Sequence, residues 1–450
     1  MPKLPPPPPS PTAARSLAAR GPWTRIAARG SGAARGSRPA ARGSRLAARG
    51  RWIAALGAVL VGCAVHRGEW APEDPGASTA TRERPALRLL LIGDAGHRGR
   101  HGSEVAAAID GRLEAGRAEG VATTLLWLGD NLAPARCDGA IDPRIAPLTE
   151  VAAAHVRAGG ASYAAIGEAE WACAGRSASS VAAQRQPAGA PWSAPAENYV
   201  IRVDVDGRAR VASRCEGTPL ACTIEASGDA SLIDLVILDS AAWLAPPPPG
   251  SALAAEAARS LAEQAALIAA LRAAPGPERI LVSHHPIESA GPHGVGGRWP
   301  DSAYAFHSEP VRAAVHDGVF VGVLAAHEHA VQMSADLSPA IKRSSRAWIT
   351  APIFELEGGA STRPDAWIGA RSWRYFQGVS LAPAAISNHA GFAELNVAGD
   401  ALELVLWARR AGRWRRAALT VPRRRPPHPV ESASPGMEPC LQCDTTAPRQ

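Results

Sequence analysis

Short apolar runs recur between Leu87 and His329, and each ends in a polar tip. A continuous apolar run predicts a strand that is buried on both faces, because such a strand has no side turned to water. The six runs, written with their tips, are LRLLLIGD (87–94), TTLLWLGD (123–130), SYAAIGEAE (162–170), LIDLVILD (232–239), RILVSHH (279–285) and GVFVGVLAAHEH (318–329).

Alanine-rich helical patterns separate the first of these runs. The clearest helix is predicted over Ala254 to Ala274, where Leu261, Ile268 and Leu271 lie on one stripe. Strands that alternate with helices predict an α/β fold, in which ligands bind outside the carboxyl ends of the strands. The polar tips lie at those ends.

Residues 391–421 show a different pattern. Apolar and polar residues alternate on both sides of a Gly399-Asp400 turn. This alternation predicts a hairpin or a meander. Residues 422–450 are polar and rich in proline, and we expect them to be disordered.

The first 62 residues resemble an export leader. Residues 1–50 combine a proline run with repeats of AARG, a composition that predicts no fold. The apolar run from Trp52 to Val61 is too short to span a bilayer, which takes about 20 residues, but it fits the core of a signal peptide. The LVGC ending at Cys63 resembles the lipobox of bacterial lipoproteins, in which the cysteine is lipidated. The alternative is a chance cysteine behind an ordinary apolar run.

The leader implies a location. We expect the protein to be exported and anchored to a membrane through Cys63, either in the periplasm or at the cell surface. Residues 63–85 are predicted to be a tether and residues 86–421 one domain.

The net charge of +7, from 48 basic and 41 acidic residues, is unevenly distributed. Eleven of the basic residues precede Trp52, which leaves 37 against 41 acidic residues in the rest of the chain. The basic character therefore belongs to the leader, and we expect no binding of nucleic acid. The hydrophobic fraction of 46% excludes a wholly disordered chain.

Six cysteines follow Cys63, and an even number in an exported chain predicts disulfides. Cys215 with Cys222 is the first predicted pair, and Cys440 with Cys443 is the second. The tail CxxC has no second CxxC beside it, which argues against a zinc site there.

Five of the tips carry carboxylates and imidazoles. These are the groups that bind one or two borderline-hard divalent or trivalent cations. A single tip is weak evidence for such a site, but the order of the tips and their shared location make the set strong. The tips hold Asp94, Asp130 with Asn131, Glu168 to Trp171, His284 with His285, and His327 with His329.

In these tips the sequence resembles the calcineurin-like metallophosphoesterases, in particular the purple-acid-phosphatase-like branch. The pattern of that family runs GD, GDxxY, GNH(D/E), VxxH, GHxH, and the resemblance extends from about Leu87 to Val421. It implies two stacked mixed β-sheets flanked by helices, a four-layer sandwich, with a two-metal site between the sheets.

The resemblance also implies the metal ligands. The first metal would take Asp94, Asp130 and His329, and the second would share Asp130 and add Glu168, His284 and His327. In the family, two iron, manganese or zinc ions generate a hydroxide nucleophile that attacks the phosphate ester.

The sequence departs from the family pattern at three positions. Ala133 replaces the tyrosine of GDxxY, which excludes a purple tyrosinate-iron centre. Glu168 replaces the asparagine of GNH, and Ala169 replaces its histidine. Loss of a general acid typically lowers the rate by ~10² to 10⁴-fold. His293 matches a second family histidine that can donate the proton, and His285 is the other candidate, either catalytic or supporting the ligands.

Two functions are consistent with this pattern. The first is a metallophosphoesterase with altered or reduced activity on a small phosphate ester, in which the second metal site binds more firmly than the first. The second is an inactive pseudo-phosphoesterase lipoprotein that serves as a binding or structural module. The retained aspartate and histidine motifs favour metal binding, whereas the changes at Ala133, Glu168 and Ala169 favour lost or altered turnover. Of the two functions, we favour the enzyme.

Overall fold

The apolar runs form the central strands of two sheets. The computed structural model describes residues 66–67, 71–76, 84–96, 101–132, 137, 141–177, 180–244, 247, 249–287, 308–335, 354–358, 382–387 and 389–423. The strands are, in chain order, His66–Arg67 (β1), Ala71–Pro72 (β2), Leu87–Ile92 (β3), Ala122–Leu128 (β4), Ala161–Ala165 (β5), Tyr199–Asp204 (β6), Ala209–Val211 (β7), Ser213–Glu216 (β8), Ala221–Ile224 (β9), Ser231–Ile237 (β10), Glu278–Val282 (β11), Gly322–Ala325 (β12), Val331–Ala335 (β13), Phe354–Gly358 (β14), Ala382–Ser387 (β15), Gly391–Val397 (β16), Ala401–Arg410 (β17) and Arg413–Pro422 (β18).

Helices cover the outer faces of the sheets. They are Gly102–Glu119 (α1), Ala146–Arg157 (α2), Glu168–Ser177 (α3), Val181–Arg185 (α4), Ala241–Leu244 (α5), Ala252–Ala273 (α6) and Glu309–His316 (α7). The predicted helix over 254–274 is α6, which begins after Ser251 because the Ser251 hydroxyl accepts a hydrogen bond from the Ala254 N–H at 3.1 Å. Among the helices in the described ranges, none is both long and apolar enough to cross a membrane.

Both large sheets are mixed. One has the order β1-β15-β13-β14-β12-β11-β10-β6-β7, and the other has the order β2-β18-β17-β16-β3-β4-β5. The neighbours β3, β4 and β5 are parallel, as are β10, β11, β12 and β14, whereas β16, β17 and β18 form the predicted antiparallel meander. The strands β8 and β9 form a separate hairpin.

The two sheets pack face to face. In β3, Leu89 and Leu91 belong to a buried cluster that also contains Leu235 and Ile280 of the other sheet. The alternate residues of β3 pack with α1 and α2 in a second cluster, and the opposite sheet packs with α6 and α7 in a third. The layers are therefore helix, sheet, sheet, helix, which confirms the predicted α/β fold and explains why the strand sequences are apolar without alternation.

The segment before residue 86 contributes to the sheets. Two short strands, β1 and β2, lie within the predicted tether and pair with β15 and β18. The fold of the described residues therefore includes part of this segment, and each of the two strands lies at one edge of a sheet.

Two disulfides link the described cysteines. Cys215 and Cys222 are opposite each other in the β8–β9 hairpin, which confirms the first predicted pair. Cys137 pairs with Cys173 of α3, a pairing that the sequence did not indicate. The predicted Cys440–Cys443 pair lies outside the described residues.

A buried ion network joins α1 to the sheet beneath it. The Glu394 carboxylate of β16 accepts two hydrogen bonds from the Arg112 guanidinium, both at 2.9 Å, and Arg88 Nε lies 3.1 Å from Glu394 Oε1. All three side chains are 1% exposed or less. Burial raises the pKa of Glu394, but the charges of Arg112 and Arg88 outweigh burial and lower it. The ionised carboxylate therefore holds two buried cations in place.

Replacement of Glu394 tests the importance of this network. We expect Glu394→Gln to lower the free energy of unfolding by about 3 to 5 kcal/mol, because the buried Arg112 guanidinium would lose its paired carboxylate and Arg88 would keep only Glu119. Urea denaturation of the full chain measures the loss. The matched control is Asp206→Asn, which removes an exposed pair with Arg208 and is expected to change stability by less than about 1 kcal/mol. Equal effects of the two variants would contradict the prediction.

Candidate metal centre

The predicted ligands lie together at the carboxyl ends of strands from both sheets. Asp94, Asp130 and Glu168 follow β3, β4 and β5 of one sheet. His284 follows β11 of the other sheet, and the AHEH tip follows β12. Backbone hydrogen bonds hold neighbouring tips side by side, since the Gly96 N–H donates to Asp130 O at 2.7 Å and the Ala326 N–H donates to His284 O at 2.9 Å.

One group of donor atoms surrounds the Glu168 carboxylate. Its Oε2 lies 2.8 Å from His284 Nε2 and 3.3 Å from His285 Nε2, and its Oε1 lies 3.1 Å from His327 Nδ1. One donor atom from each of these four residues lies within 4.8 Å of the others. Burial raises the pKa of Glu168, but His327 and His284 outweigh burial and hold it well below its usual value.

A second group lies deeper in the protein and shares a histidine with the first. Donor atoms of Asp94, Asp130 and His284 also lie within 4.8 Å of one another, and all three residues are buried. His329 Nε2 is 3.8 Å from Asp94 Oδ1. The structure therefore brings five of the six predicted ligands into two adjoining groups, with His284 in both, and places the sixth, His329, beside Asp94.

His284 is oriented as a metal ligand would be. Its Nδ1 lies 2.8 Å from the Leu128 carbonyl oxygen, which can only accept, so Nδ1 carries a proton. The other ring nitrogen, Nε2, faces Glu168 and lies 3.7 Å from Asp130 Oδ1. Burial lowers the pKa of His284, but the charges of Glu168, Asp130 and Asp94 outweigh burial and hold it well above its usual value. A cation is therefore favoured at this position.

Backbone strain is concentrated in the ligand tips. Among the described residues, five residues other than glycine have positive φ, and four of them are predicted ligands: Asp94 (54°), Asp130 (52°), His327 (71°) and His329 (49°). Such a conformation costs on the order of 1 to 3 kcal/mol at each residue and persists only where the surrounding structure enforces it. This clustering is typical of a functional site.

Two glycines allow the ligands to approach one another. A Cβ on Gly167 would lie 2.4 Å from Asp130 Oδ1, and a Cβ on Gly129, whose φ is 91°, would lie 2.7 Å from His284 Nδ1. These contacts are shorter than any non-bonded contact that a methyl group tolerates. The glycine before Asp130 and the glycine before Glu168 are thus required by the site itself.

The Glu170 carboxylate connects two of the tips. Its oxygens accept hydrogen bonds from the backbone N–H groups of Gly167 at 2.7 Å, Asp130 at 3.1 Å, Asn131 at 2.8 Å and Leu132 at 3.1 Å. Burial and the negative charge of Asp130 raise its pKa to about 7, and the N–H donors oppose that rise. All four hydrogen bonds come from backbone N–H groups and not from side chains of the donor groups. Glu170 therefore fixes the backbone segments that carry Asp130 and Glu168.

Two residues that the motif comparison did not include support the site. Ser240 Oγ lies 2.8 Å from His285 Nδ1 and accepts from the His285 N–H at 3.1 Å. Asp239 is buried and accepts hydrogen bonds from Trp171 Nε1 and from Ser260 Oγ. Burial raises the pKa of Asp239 to about 6. The signal for both residues was present in the sequence, because LVILDS is an apolar strand with a polar tip like the others.

Of the positions at which the sequence departs from the family pattern, Glu168 and Ala169 lie within the described residues and Ala133 lies outside them. Ala169 is 2% exposed, and its N–H donates to Asp130 Oδ1 at 2.8 Å, so this position contributes a backbone contact and no imidazole. Ala133, His293 and the predicted lipidation residue Cys63 lie outside the described residues.

The chain was compared with known proteins, and one of the solved structures similar to it is a plant phosphatase. A purple acid phosphatase from yellow lupin (Lupinus luteus) seeds is similar to the chain with a TM-score of 0.41 and 13% sequence identity, over 78% of this chain and 55% of that one. The chain thus spans about half the length of that phosphatase. No protein-family model matches the chain. No curated protein matches it either.

Replacement of Glu170 tests whether this carboxylate holds the tips. We expect Glu170→Gln to lower the free energy of unfolding by at least about 2 kcal/mol, because an amide NH₂ would face backbone donors that now find an acceptor. We also expect metal affinity to fall by about 10- to 100-fold, as is typical when a residue that positions the metal ligands is replaced. Urea denaturation and zinc titration measure the two effects.

The control is Glu150→Gln on the exposed side of α2, which is expected to stay within about 0.5 kcal/mol of the unchanged protein. If Glu170→Gln binds zinc as tightly as the Glu150 variant does, Glu170 does not position the ligands.

Proposed function

We propose that this protein is a metal-dependent phosphoesterase. The observation that carries the proposal is the pair of adjoining donor groups, centred on Glu168 and on Asp130, that share His284 between the two sheets. The order of the motifs along the chain supports the same function. Oxygen and imidazole donors of this kind suit iron, manganese or zinc.

The donor atoms of these two groups are of the kinds that bind a metal ion. Asp94, Asp130 and Glu168 place three carboxylates around two histidines, His284 and His327, which is a donor set that suits a cation. When bound, divalent cations lower the pKa of water and stabilise negative charge on phosphoryl oxygens. Asp94 and Asp130 of the second group would hold one cation, and the residues around Glu168 would hold the other.

Proton transfer is the weak part of the proposed reaction. In the family, the histidine that Ala169 replaces stabilises the transferring phosphoryl group or protonates the leaving oxygen, whereas the side chain of Ala169 is a buried methyl group. Among the described residues, His285 is the additional imidazole beside Glu168, and its Nε2 lies 3.3 Å from Glu168 Oε2. We therefore infer slow turnover, with His293 as the remaining proposed proton donor.

We propose a location and a substrate class from the sequence. An exported lipoprotein anchored through Cys63 would meet small phosphate esters outside the cytoplasm. We therefore propose small phosphate esters as the substrate class.

Hydrolysis of p-nitrophenyl phosphate by the purified full chain tests the function. We expect slow hydrolysis that requires added Zn²⁺ or Mn²⁺ and stops with a chelator. Asp130→Asn should lower the rate at least about 100-fold, because it removes a carboxylate from the donor group beside His284. The control Asp229→Asn, on the exposed surface, should leave the rate unchanged.

Two outcomes would contradict the proposed enzymatic activity. A chain that binds metal through these residues but hydrolyses no phosphate ester would be the binding module. A folded chain that binds no metal would exclude both the metal site and the enzymatic function.

A further inference from the structure

His285 lies among the donors although the family pattern gives it no ligand role. Its Nε2 is 3.3 Å from Glu168 Oε2, and its ring centroid is 4.2 Å from that of His327 and 4.8 Å from that of His284. Its side chain is almost fully buried. A donor atom of His285 thus shares one 4.8 Å group with Glu168, His284 and His327.

The spacing within this group matches one small ion. Four ligands at zinc bond lengths in a tetrahedron lie about 3.3 Å from one another. From Glu168 Oε2, His284 Nε2 lies at 2.8 Å and His285 Nε2 at 3.3 Å, and His327 Nδ1 lies 3.1 Å from the other oxygen of the same carboxylate, Oε1. Asp130, which the family pattern would place on this ion, belongs instead to the other group, and its Oδ1 is 3.7 Å from His284 Nε2.

Ser240 aims the His285 ring at the site. Its hydroxyl lies 2.8 Å from Nδ1, which leaves Nε2 toward Glu168. A carboxylate only accepts, so without metal Nε2 donates its proton to Glu168 and the Ser240 hydroxyl donates to Nδ1. A metal would replace the Nε2 proton, and the hydroxyl would then accept from Nδ1–H, which is the usual support of a metal-binding histidine.

We propose that His285 is a metal ligand and that Glu168, His284, His285 and His327 form one tetrahedral zinc-type site. The proposal rests on the metal binding of the proposed function and changes the role of His285 from proton donor to ligand. A site with four protein ligands is closed, whereas a catalytic site keeps an open position. The open positions would then belong to the group of Asp94 and Asp130, which binds its ion more weakly.

Metal titration of the full chain with Zn²⁺ and Co²⁺, in competition with a chromophoric chelator, tests the proposal. We expect one tight ion, and we expect His285→Gln to weaken it by more than about 100-fold, beyond the 10- to 100-fold typical of a residue behind the ligands. Ser240→Ala is the control for such a supporting role and should fall within that smaller range. His155→Gln is the control for an unrelated buried histidine, which contacts Thr123 O, and should change nothing.

A second measurement uses the unchanged protein, so it holds even if a variant fails to fold. Four-coordinate Co²⁺ absorbs visible light far more strongly than six-coordinate Co²⁺, and the proposal predicts the strong spectrum. Zinc affinity of His285→Gln within threefold of the unchanged protein, or a weak six-coordinate spectrum, would exclude His285 as a ligand. Failure of the unchanged protein to bind any metal would instead refute the proposed function.

Discussion

The candidate site depends on one buried carboxylate that is not a ligand. Glu170 accepts hydrogen bonds from backbone N–H groups of two separate tips, Gly167 in one and Asp130 to Leu132 in the other. Charge-assisted bonds of this kind are stronger than neutral ones, and here they act where water is excluded. They hold Asp130 and the start of α3 at a fixed separation, so that the Glu168 carboxylate can meet imidazoles that come from the opposite sheet.

Much of this arrangement could be predicted from the sequence. The apolar runs indicated the central strands, because a strand buried on both faces is apolar along its whole length. The pattern on both sides of the Gly399-Asp400 turn indicated β16 to β18. The strands β13, β14 and β15 were not predicted, since their sequences, such as VQMSA in β13, are not continuous apolar runs. Residues 63–85 were predicted to be a tether, and β1 and β2 lie within them. These two strands were not predicted, because edge pairing is a long-range contact that local composition does not record.

The donors themselves were predictable from their position behind strands, but their grouping was not. Which carboxylate meets which imidazole depends on positive φ angles at four tips and on the close approach that Gly167 allows, and neither follows from residue type alone. The family pattern assigns Asp130 to the ion held by His284 and His327. In the structure the compact group around Glu168 includes His285 instead, because the longer glutamate side chain reaches His285 Nε2.

The central claim is that the two sheets together build a metal site around Glu168 and His284. Anomalous diffraction at the zinc absorption edge, from crystals of the full chain grown with Zn²⁺, tests it most directly. The account predicts a strong anomalous peak within bonding distance of Glu168 Oε2, His284 Nε2 and His327 Nδ1. A crystal in which these side chains are ordered and contact one another, with zinc bound elsewhere or with no peak, would contradict it.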